Sequence, residues 1–469
     1  MALTEEDLSV VLENGIDPEN PGKYADLLED LQGNILRGHG RDHSVHLFLE
    51  FHADKVDSAK EWVENFAKNY IKSAQQQFDE SARYRKEGVN GGLFANFFLS
   101  KDGYKYFGVK PFKMPKDEPF RFGMKNEAVK NLLGDPPVEE WETGYQQTLH
   151  ALIIMADDDV VDLLQGVNQM TQDLRTVATI VHREDGFILR NSEGQIIEHF
   201  GFVDGISQPL FLKRDIVRSR VNNCNFSQWD PRAPLSIVVE KDRNGQKEDS
   251  YGSYLVYRKL EQNVKGWNEN VASLAKELKV EPEFVGASTM GRFKDGTPLT
   301  MADVPSHAVT PTNNFNFDED TKAMKCPFHA HIRKTNPRGD TGRVESAPNA
   351  EQALETELGH RIARRGISYG DNDINHEPET GSGLLFLCFQ ATIENQFNFI
   401  QSAWANQPKF VQVDVGPDPV ISPPGSQNWT KEWGKEATEN RPFKLWMKVK
   451  GGEYFFAPSI SCLANMTSL

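Results

Sequence analysis

The order of predicted strands and helices constrains the fold of this chain more than any other feature of its sequence. In the first half, alternating apolar side chains predict strands, and apolar side chains at helical spacing predict helices. The predicted segments are, in order, strand 45–51, helix 56–71, strand 93–99, strand 149–156, a helix starting in the acidic run 157–159, and strand 176–182. This order is that of the split ferredoxin-like arrangement.

The second half repeats the order of elements without a detectable repeat in sequence. The predicted segments are strand 251–260, helix 263–278, strand 383–391, helix 393–404 and a final strand pair at 443–449 and 454–457. We therefore expect an α+β chain with a polar arm at residues 1–28 and two ferredoxin-like domains at 29–212 and 213–469. Residues 214–234 are expected to form an irregular connection, and residues 346–360 a loose acidic segment.

The charge balance excludes several kinds of partner. The 469 residues include 52 basic and 68 acidic side chains, for a net charge of −16. This balance argues against nucleic acid or an anionic membrane as a partner and favours neutral or cationic small substrates. No apolar run has the length of a membrane-spanning helix. The N-terminus lacks an export pattern, so we expect a cytoplasmic protein, with a secreted mature form left open.

Cysteine and histidine placement gives little support for a structural metal site. The four cysteines, Cys224, Cys326, Cys388 and Cys462, are too scattered for a disulfide framework. Cys326 and His329 could form half of a zinc site, but no second Cys/His pair with suitable spacing follows. His39, His43 and His46 are interpreted as part of a solvated loop. The chain also lacks a Cys-x-x-Cys-His motif, which would attach a cofactor through thioether links.

The segment KCPFHAHIRKTNPRGD, residues 325–340, holds two closely spaced histidines. In an extended strand His329 and His331 would point to one face and Ala330 to the other. Either imidazole could ligate a metal, and one neutral nitrogen facing an apolar pocket is what a haem iron takes as its proximal ligand. On residue type alone, a hydrogen-bonded core or surface histidine is the more frequent alternative.

Two further segments favour the metal-ligand interpretation of one of these histidines. HFGFVDGISQPL, residues 199–210, places Asp204 between two glycines, and RIARRGISYG, residues 361–370, carries adjacent arginines. Together with HIRKTNPR, these strings resemble the dye-decolourising (DyP-type) haem peroxidases, and the resemblance extends from about residue 30 to the C-terminus. It implies a dimeric α+β barrel-type fold with the haem pocket mainly in the C-terminal half.

The resemblance also assigns roles to single residues. Asp204 would be the distal acid/base, Arg364 the distal cation and His331 the proximal iron ligand, with His329 as the alternative ligand. Arg365 should point elsewhere. The remaining implied positions are Arg333 at a haem propionate, Ile206, Ser207, Leu384 and Phe386 around the haem, Asp418 (or, alternatively, Glu394) bonded to the proximal histidine, and Tyr369 and Trp404 as possible surface electron-transfer sites.

The function implied is a peroxidase with non-covalent haem b. It would reduce hydrogen peroxide and oxidise dyes, phenols and related aromatic one-electron donors through a ferryl intermediate. The alternative is a haem-binding or haem-processing protein with incidental peroxidase activity. A carrier has no need of a distal proton shuttle, so the pair Asp204 and Arg364 favours the enzyme. A homo-oligomer is left open.

Overall fold

The computed structural model describes residues 2–308, 310–344 and 350–469. The strands are β1 (His43–Phe51), β2 (Phe94–Leu99), β3 (Ala151–Asp157), β4 (Ala178–Phe187), β5 (Leu189–Arg190), β6 (Ile196–Ile197), β7 (Glu240–Lys241), β8 (Tyr251–Gln262), β9 (Ala363–Arg364), β10 (Ile367–Tyr369), β11 (Gly383–Gln390), β12 (Gly425–Thr430), β13 (Thr438–Phe443) and β14 (Met447–Ala457).

The helices lie mainly outside the large sheet. The α-helices are α1 (Glu5–Ser9), α2 (Ala25–Asp30), α3 (Val56–Tyr70), α4 (Ala74–Glu87), α5 (Lys101–Tyr106), α6 (Glu118–Phe122), α7 (Glu127–Leu133), α8 (Thr143–Gln146), α9 (Val160–Leu174), α10 (Lys213–Asn222), α11 (Val264–Leu278), α12 (Pro282–Met290), α13 (His331–Thr335), α14 (Ala350–Gly359) and α15 (Ile460–Leu463). Two π-helical segments cover Glu394–Asn398 and Ile400–Ala405. Within the parts of the chain that the structure describes, no helix has the length and apolar character needed to cross a bilayer.

Each half of the chain forms the predicted ferredoxin-like sheet. The N-terminal strands are ordered β4-β1-β3-β2, with helix α3 between β1 and β2 and helix α9 between β3 and β4. The C-terminal strands follow the equivalent order β14-β8-β11-β10. The α+β prediction is therefore confirmed.

The two sheets join at both edges into one closed barrel. Strand β14 pairs with β2 at Phe456 and Leu99, and β10 pairs with β4 at Ser368 and Phe187. Closure removes the free edges of both sheets. Side chains from non-neighbouring strands meet inside the barrel: the Nδ1 atom of His46 on β1 lies 3.0 Å from the hydroxyl of Tyr257 on β8. The domain division at residue 212 stays a prediction.

Local sequence signals explain several elements. The acidic run before α9 acts as a cap, because the Asp159 carboxylate accepts hydrogen bonds from the backbone N–H groups of Val161 at 2.7 Å and Asp162 at 3.2 Å. Helix α11 begins after the N-cap residue Asn263 and buries Trp267 on its apolar face. Both features agree with the predicted helices.

Several predicted elements were wrong. The expected strand pair at 443–449 and 454–457 is instead β13 followed by the long strand β14. Strand β14 continues through Gly451, where we expected a break. A Cβ at this position would lie 2.2 Å from the Tyr145 ring, so the strand can pass the ring only because the residue is glycine. Residues 213–222 form helix α10 rather than an irregular connection. Within the segment expected to be loose, residues 350–359 form α14 and residues 346–349 lie outside the described residues.

The arm and the histidine-rich segment are also more ordered than we expected. Ile16, Tyr24 and Leu27, within residues 1–28, are buried in the main core. His46 is 2% exposed because it lies on β1 and faces the barrel interior. A few apolar residues in a polar segment are therefore enough to anchor it when a large core is available.

Candidate active site

A large, mostly apolar cavity lies on the outer face of strands β8, β11 and β14, between the barrel and the C-terminal helices. The predicted wall residues Ile206, Ser207, Leu384 and Phe386 all line it. Leu260 and Val449 extend the same wall. Because β8 and β11 pair with Leu384 opposite Leu260, these side chains form a continuous apolar surface.

His331 enters this cavity with one imidazole nitrogen engaged. Its Nδ1 atom lies 2.7 Å from Oδ2 of Asp418, which is fully buried. Oδ1 of Asp418 accepts a hydrogen bond from the backbone N–H of Val420 at 2.7 Å, so the carboxylate is itself fixed. Nε2 is therefore the His331 nitrogen available to a metal, and the carboxylate would raise its basicity as a ligand.

The structure separates the two candidate ligands. His331 is the first residue of α13, so the extended conformation expected for 329–331 was wrong: the backbone N–H of Arg333 already donates to the carbonyl of Ala330. His329 is 1% exposed and packs 4.5 Å from the Trp429 ring, away from the cavity. Burial lowers the pKa of His329 to about 3. Glu394, the alternative to Asp418, is exposed and does not line the cavity.

Asp204 and Arg364 meet at the same cavity. Nη1 of Arg364 donates to Oδ1 of Asp204 at 3.1 Å, and Nη2 donates to the carbonyl of Ser207 at 3.1 Å. The Asp204 and Arg364 side chains are 28% and 33% exposed, so both remain reachable from the cavity. Arg365 points away, as expected, and donates to the carbonyls of Asn34 and Ile35.

Arg333 does not reach the cavity, which contradicts its expected contact with a propionate. Its side chain is 1% exposed and pairs with Asp340 at 2.6 Å and Asp320 at 2.9 Å. It also donates to the carbonyl of Cys326. Two buried carboxylates thus hold this guanidinium in the core, where it stabilises the segment before α13.

Three other arginines, which the sequence analysis missed, line one edge of the cavity: Arg292, Arg338 and Arg361. Their hydrogen bonds go to neutral groups, such as the Thr312 carbonyl for Arg292 and the Asp230 carbonyl for Arg361. Burial lowers the pKa of Arg292 to about 9 and that of Arg361 to about 10. Nε of Arg361 is buried and has no hydrogen-bond partner among the residues that the structure describes. Such a concentration of poorly compensated cations favours an anionic ligand at this edge.

The two aromatic residues expected at the surface are both buried. Tyr369 is 5% exposed and lies inside the barrel, where the Lys259 ammonium is 4.6 Å from its ring. Trp404 is also 5% exposed and stacks on Phe410 at 5.6 Å. Neither side chain offers the exposed face that direct contact with a bulky donor requires.

Comparison with known proteins identifies the family. Residues 30–188 match the model of the DyP dimeric alpha+beta barrel domain, and residues 225–410 match that of the Dyp-type peroxidase C-terminal domain. The multifunctional dye peroxidase DyP2 of Amycolatopsis sp. is 38% identical over 468 residues, which cover 95% of this chain and 97% of that protein. The chain belongs to the DyP-type peroxidase family, whose members are haem enzymes, and it is a peroxidase.

Solved structures agree over the whole chain. The crystal structure of a DyP-type peroxidase from Anabaena sp. (AnaPX) has a TM-score of 0.98 at 61% identity, covering 99% of this chain and 100% of that one. DyP2 from Amycolatopsis sp. has a TM-score of 0.90 at 37% identity, with coverage of 99% and 100%. Similarity at this level extends to the barrel and to the helices that enclose the cavity.

Proposed function

We propose that this chain is a haem b peroxidase that reduces hydrogen peroxide and oxidises dyes, phenols and related aromatic one-electron donors. One observation carries the proposal: His331, held by Asp418, lines the same apolar cavity as the Asp204–Arg364 pair. A metal ligand fixed by a carboxylate, together with a carboxylate and a cation in the same cavity, supplies the groups that peroxide cleavage requires.

The cavity fits a haem held without covalent links. His331 would ligate the iron through Nε2, and Leu260, Leu384 and Phe386 would pack against the porphyrin. The arginine edge formed by Arg292, Arg338 and Arg361 suits two propionates. When bound, haem supplies the redox chemistry by which peroxide is reduced and an aromatic donor is oxidised.

The protein's own contribution is to move a proton and to stabilise charge. We assign Asp204 as the group that takes a proton from one peroxide oxygen and returns it to the other, which leaves as water. The Arg364 guanidinium would stabilise the negative charge that builds up on the leaving oxygen. The bond between Arg364 and the Ser207 carbonyl keeps the guanidinium close to Asp204.

The reducing substrates are proposed as a class, from the names of the relatives. The curated relatives include DyP2 of Amycolatopsis sp. and the dye-decolorizing peroxidase msp1 of Mycetinis scorodonius, 28% identical over 415 residues. These names support dye oxidation and do not favour haem carriage as the main function. Because Tyr369 and Trp404 are buried, a small donor would react at the cavity itself. Cytoplasmic location and a homo-oligomer stay predictions.

The test is peroxide-dependent oxidation by haem-loaded protein. Purified protein should bind one haem b, release it into acidified organic solvent, and oxidise an anthraquinone dye and a phenol only when both haem and hydrogen peroxide are present. Haem binding without peroxide-dependent oxidation of either donor would favour carriage and contradict the proposal.

A further inference from the structure

A second carboxyl group, Glu198, faces the cavity beside the loop that carries Asp204. Its Oε2 accepts the backbone N–H of Phe200 at 2.9 Å, and its Oε1 accepts that of Phe202 at 3.0 Å. The side-chain amide of Gln262 on β8 also donates to Oε2. The carboxylate thus ties the loop to itself and to the cavity wall through three N–H groups.

Backbone hydrogen bonds link the position of Asp204 to the turn at residues 198–202. The N–H of Glu198 donates to the Phe202 carbonyl at 3.1 Å, and the N–H of Gly201 donates to the Glu198 carbonyl at 2.8 Å. Gly201 has φ = +89°, a conformation that favours glycine. Two residues beyond Phe202, the N–H of Asp204 donates to the Ile196 carbonyl at 3.0 Å. A shift of the 198–202 turn would therefore move the Asp204 carboxylate.

This arrangement has an electrostatic cost. Burial raises the pKa of Glu198, and the negative charge of Asp204 acts in the same direction, while the hydrogen bonds from Phe200, Gln262 and Phe202 oppose the shift. A neutral side chain would avoid the cost of placing a second carboxyl group near Asp204. However, an amide has one acceptor oxygen, so it cannot accept from both backbone N–H groups in the same geometry.

We propose that Glu198 is a positioning residue, whose carboxylate holds the turn 198–202 so that Asp204 stays within reach of Arg364 and of a bound peroxide. This inference rests on the proposed function, because it gives Asp204 the proton-transfer role. Glu198 acts through the backbone, and it neither ligates the metal nor transfers the proton itself.

The test uses Glu198→Gln and a matched control, Asp242→Asn. Asp242 is also a buried carboxylate that binds two backbone N–H groups, those of Asn244 at 3.0 Å and Ser459 at 2.8 Å, but it does not line the cavity. For each protein, hydrogen–deuterium exchange of residues 196–206 is measured without haem. Haem affinity and the second-order rate constant with hydrogen peroxide are then measured on the loaded protein.

In Glu198→Gln we expect faster exchange at Phe200 and Phe202, haem affinity within about twofold of wild type, and a peroxide rate constant lowered up to about 100-fold by misplacement of Asp204. The KM for the dye should not change. Asp242→Asn should lower the melting temperature while leaving loop exchange and the peroxide rate constant unchanged.

Three results would overturn the inference: unchanged exchange at both phenylalanines, loss of haem affinity, or faster exchange with an unchanged peroxide rate constant. A slower peroxide reaction with unchanged exchange would make Glu198 a participant in the chemistry itself. If wild type does not react with peroxide, the proposed function fails. Exchange in the haem-free protein then still shows whether Glu198 holds the loop, so the two failures are distinguishable.

Discussion

Two polar clusters lie on opposite sides of strand β8, and they use similar residue types for different functions. On β8, Arg258 and Leu260 line the cavity, whereas Tyr257 and Lys259 face the barrel interior. The interior cluster consists of Glu142, His182, Glu184, Lys259 and Tyr145. The cavity cluster consists of His331, Asp418, Asp204 and Arg364.

The interior cluster has the residue types of a metal site, but its charges are already matched. Ligand atoms of Glu142, His182 and Glu184 lie within 4.8 Å of one another. Nζ of Lys259, however, lies 2.8 Å from a carboxylate oxygen of both Glu142 and Glu184. An ammonium ion thus takes the place that a metal cation would need. On the cavity side, by contrast, His331 keeps one nitrogen available, and Asp204 and Arg364 face open space.

The comparison shows that residue type alone does not define a site in this barrel. What distinguishes the cavity is the polar atoms left available to a ligand. Substitutions in the cavity cluster should therefore change ligand binding or chemistry with little effect on stability. Substitutions in the interior cluster should lower stability with little effect on ligand binding or chemistry.

The largest effect is expected from His331→Ala, which removes the atom that would ligate iron. The protein should lose the Soret spectrum of histidine-coordinated haem and all peroxide-dependent dye oxidation, as measured by haem titration and steady-state assay. The matched interior variant, His182→Ala, should bind haem normally. Equal loss of haem binding and dye oxidation in both variants would contradict the distinction between the two clusters.

The second largest effect is expected from Asp204→Asn. An amide cannot shuttle the peroxide proton, so the rate constant for the peroxide reaction should fall by about 10²- to 10⁴-fold while haem affinity persists. Stopped-flow absorbance measures the rate. Glu184→Gln, a carboxylate-to-amide change on the interior face, is the control and should react at the wild-type rate. A wild-type rate in Asp204→Asn would rule out its assigned role.

Lys259→Met, a substitution in the interior cluster, should lower stability and leave the reaction with peroxide unchanged. Removing the ammonium leaves Glu142 and Glu184 close together without a cation, and Glu184 is only 5% exposed. We expect a loss of about 3 kcal/mol in the free energy of unfolding, measured by urea denaturation of the haem-free protein. The peroxide rate constant should not change. A stable variant that loses peroxide reactivity would show that the interior cluster takes part in the chemistry.

The smallest effect concerns the pH dependence of stability and is also expected from the interior. Burial lowers the pKa of His46 to about 4 from its usual value of 6.5. The unfolded chain therefore binds a proton that the folded chain excludes, and His46 costs stability as the pH falls from about 6.5 towards 4. His46→Gln should reduce the slope of unfolding free energy against pH in this window by about 1.4 kcal/mol per pH unit. An unchanged slope would show that His46 stays solvated.

The same distinction explains what the sequence could predict. Strand and helix order predicted both ferredoxin-like sheets except for β10, whose three residues are too few to show a pattern. The short strings around Asp204, His331 and Arg364 located the main cavity residues. The family resemblance of those strings implied a barrel-type fold. The order of predicted elements alone does not show which sheet edges join, because closure depends on single pairings such as Phe456 with Leu99.

Side-chain direction accounts for the errors. Arg333 and Arg338 stand in one string, and the sequence does not show that Asp320 and Asp340 draw Arg333 into the core while Arg338 lines the cavity. Likewise, Tyr369 is buried beside Lys259, which is distant in the chain, and Trp404 is buried because the chain turns back to place Phe410 on its ring. An arginine in the same string as a proximal histidine is the signal that could have suggested Arg338.

The most direct test of the account is the absorption spectrum of haem-loaded wild-type protein, followed by stopped flow after one equivalent of hydrogen peroxide. We predict a prompt shift of the Soret band, reversed on addition of a phenol. A Soret band that does not respond to peroxide would contradict the central claim that the cavity cluster is a peroxidase site.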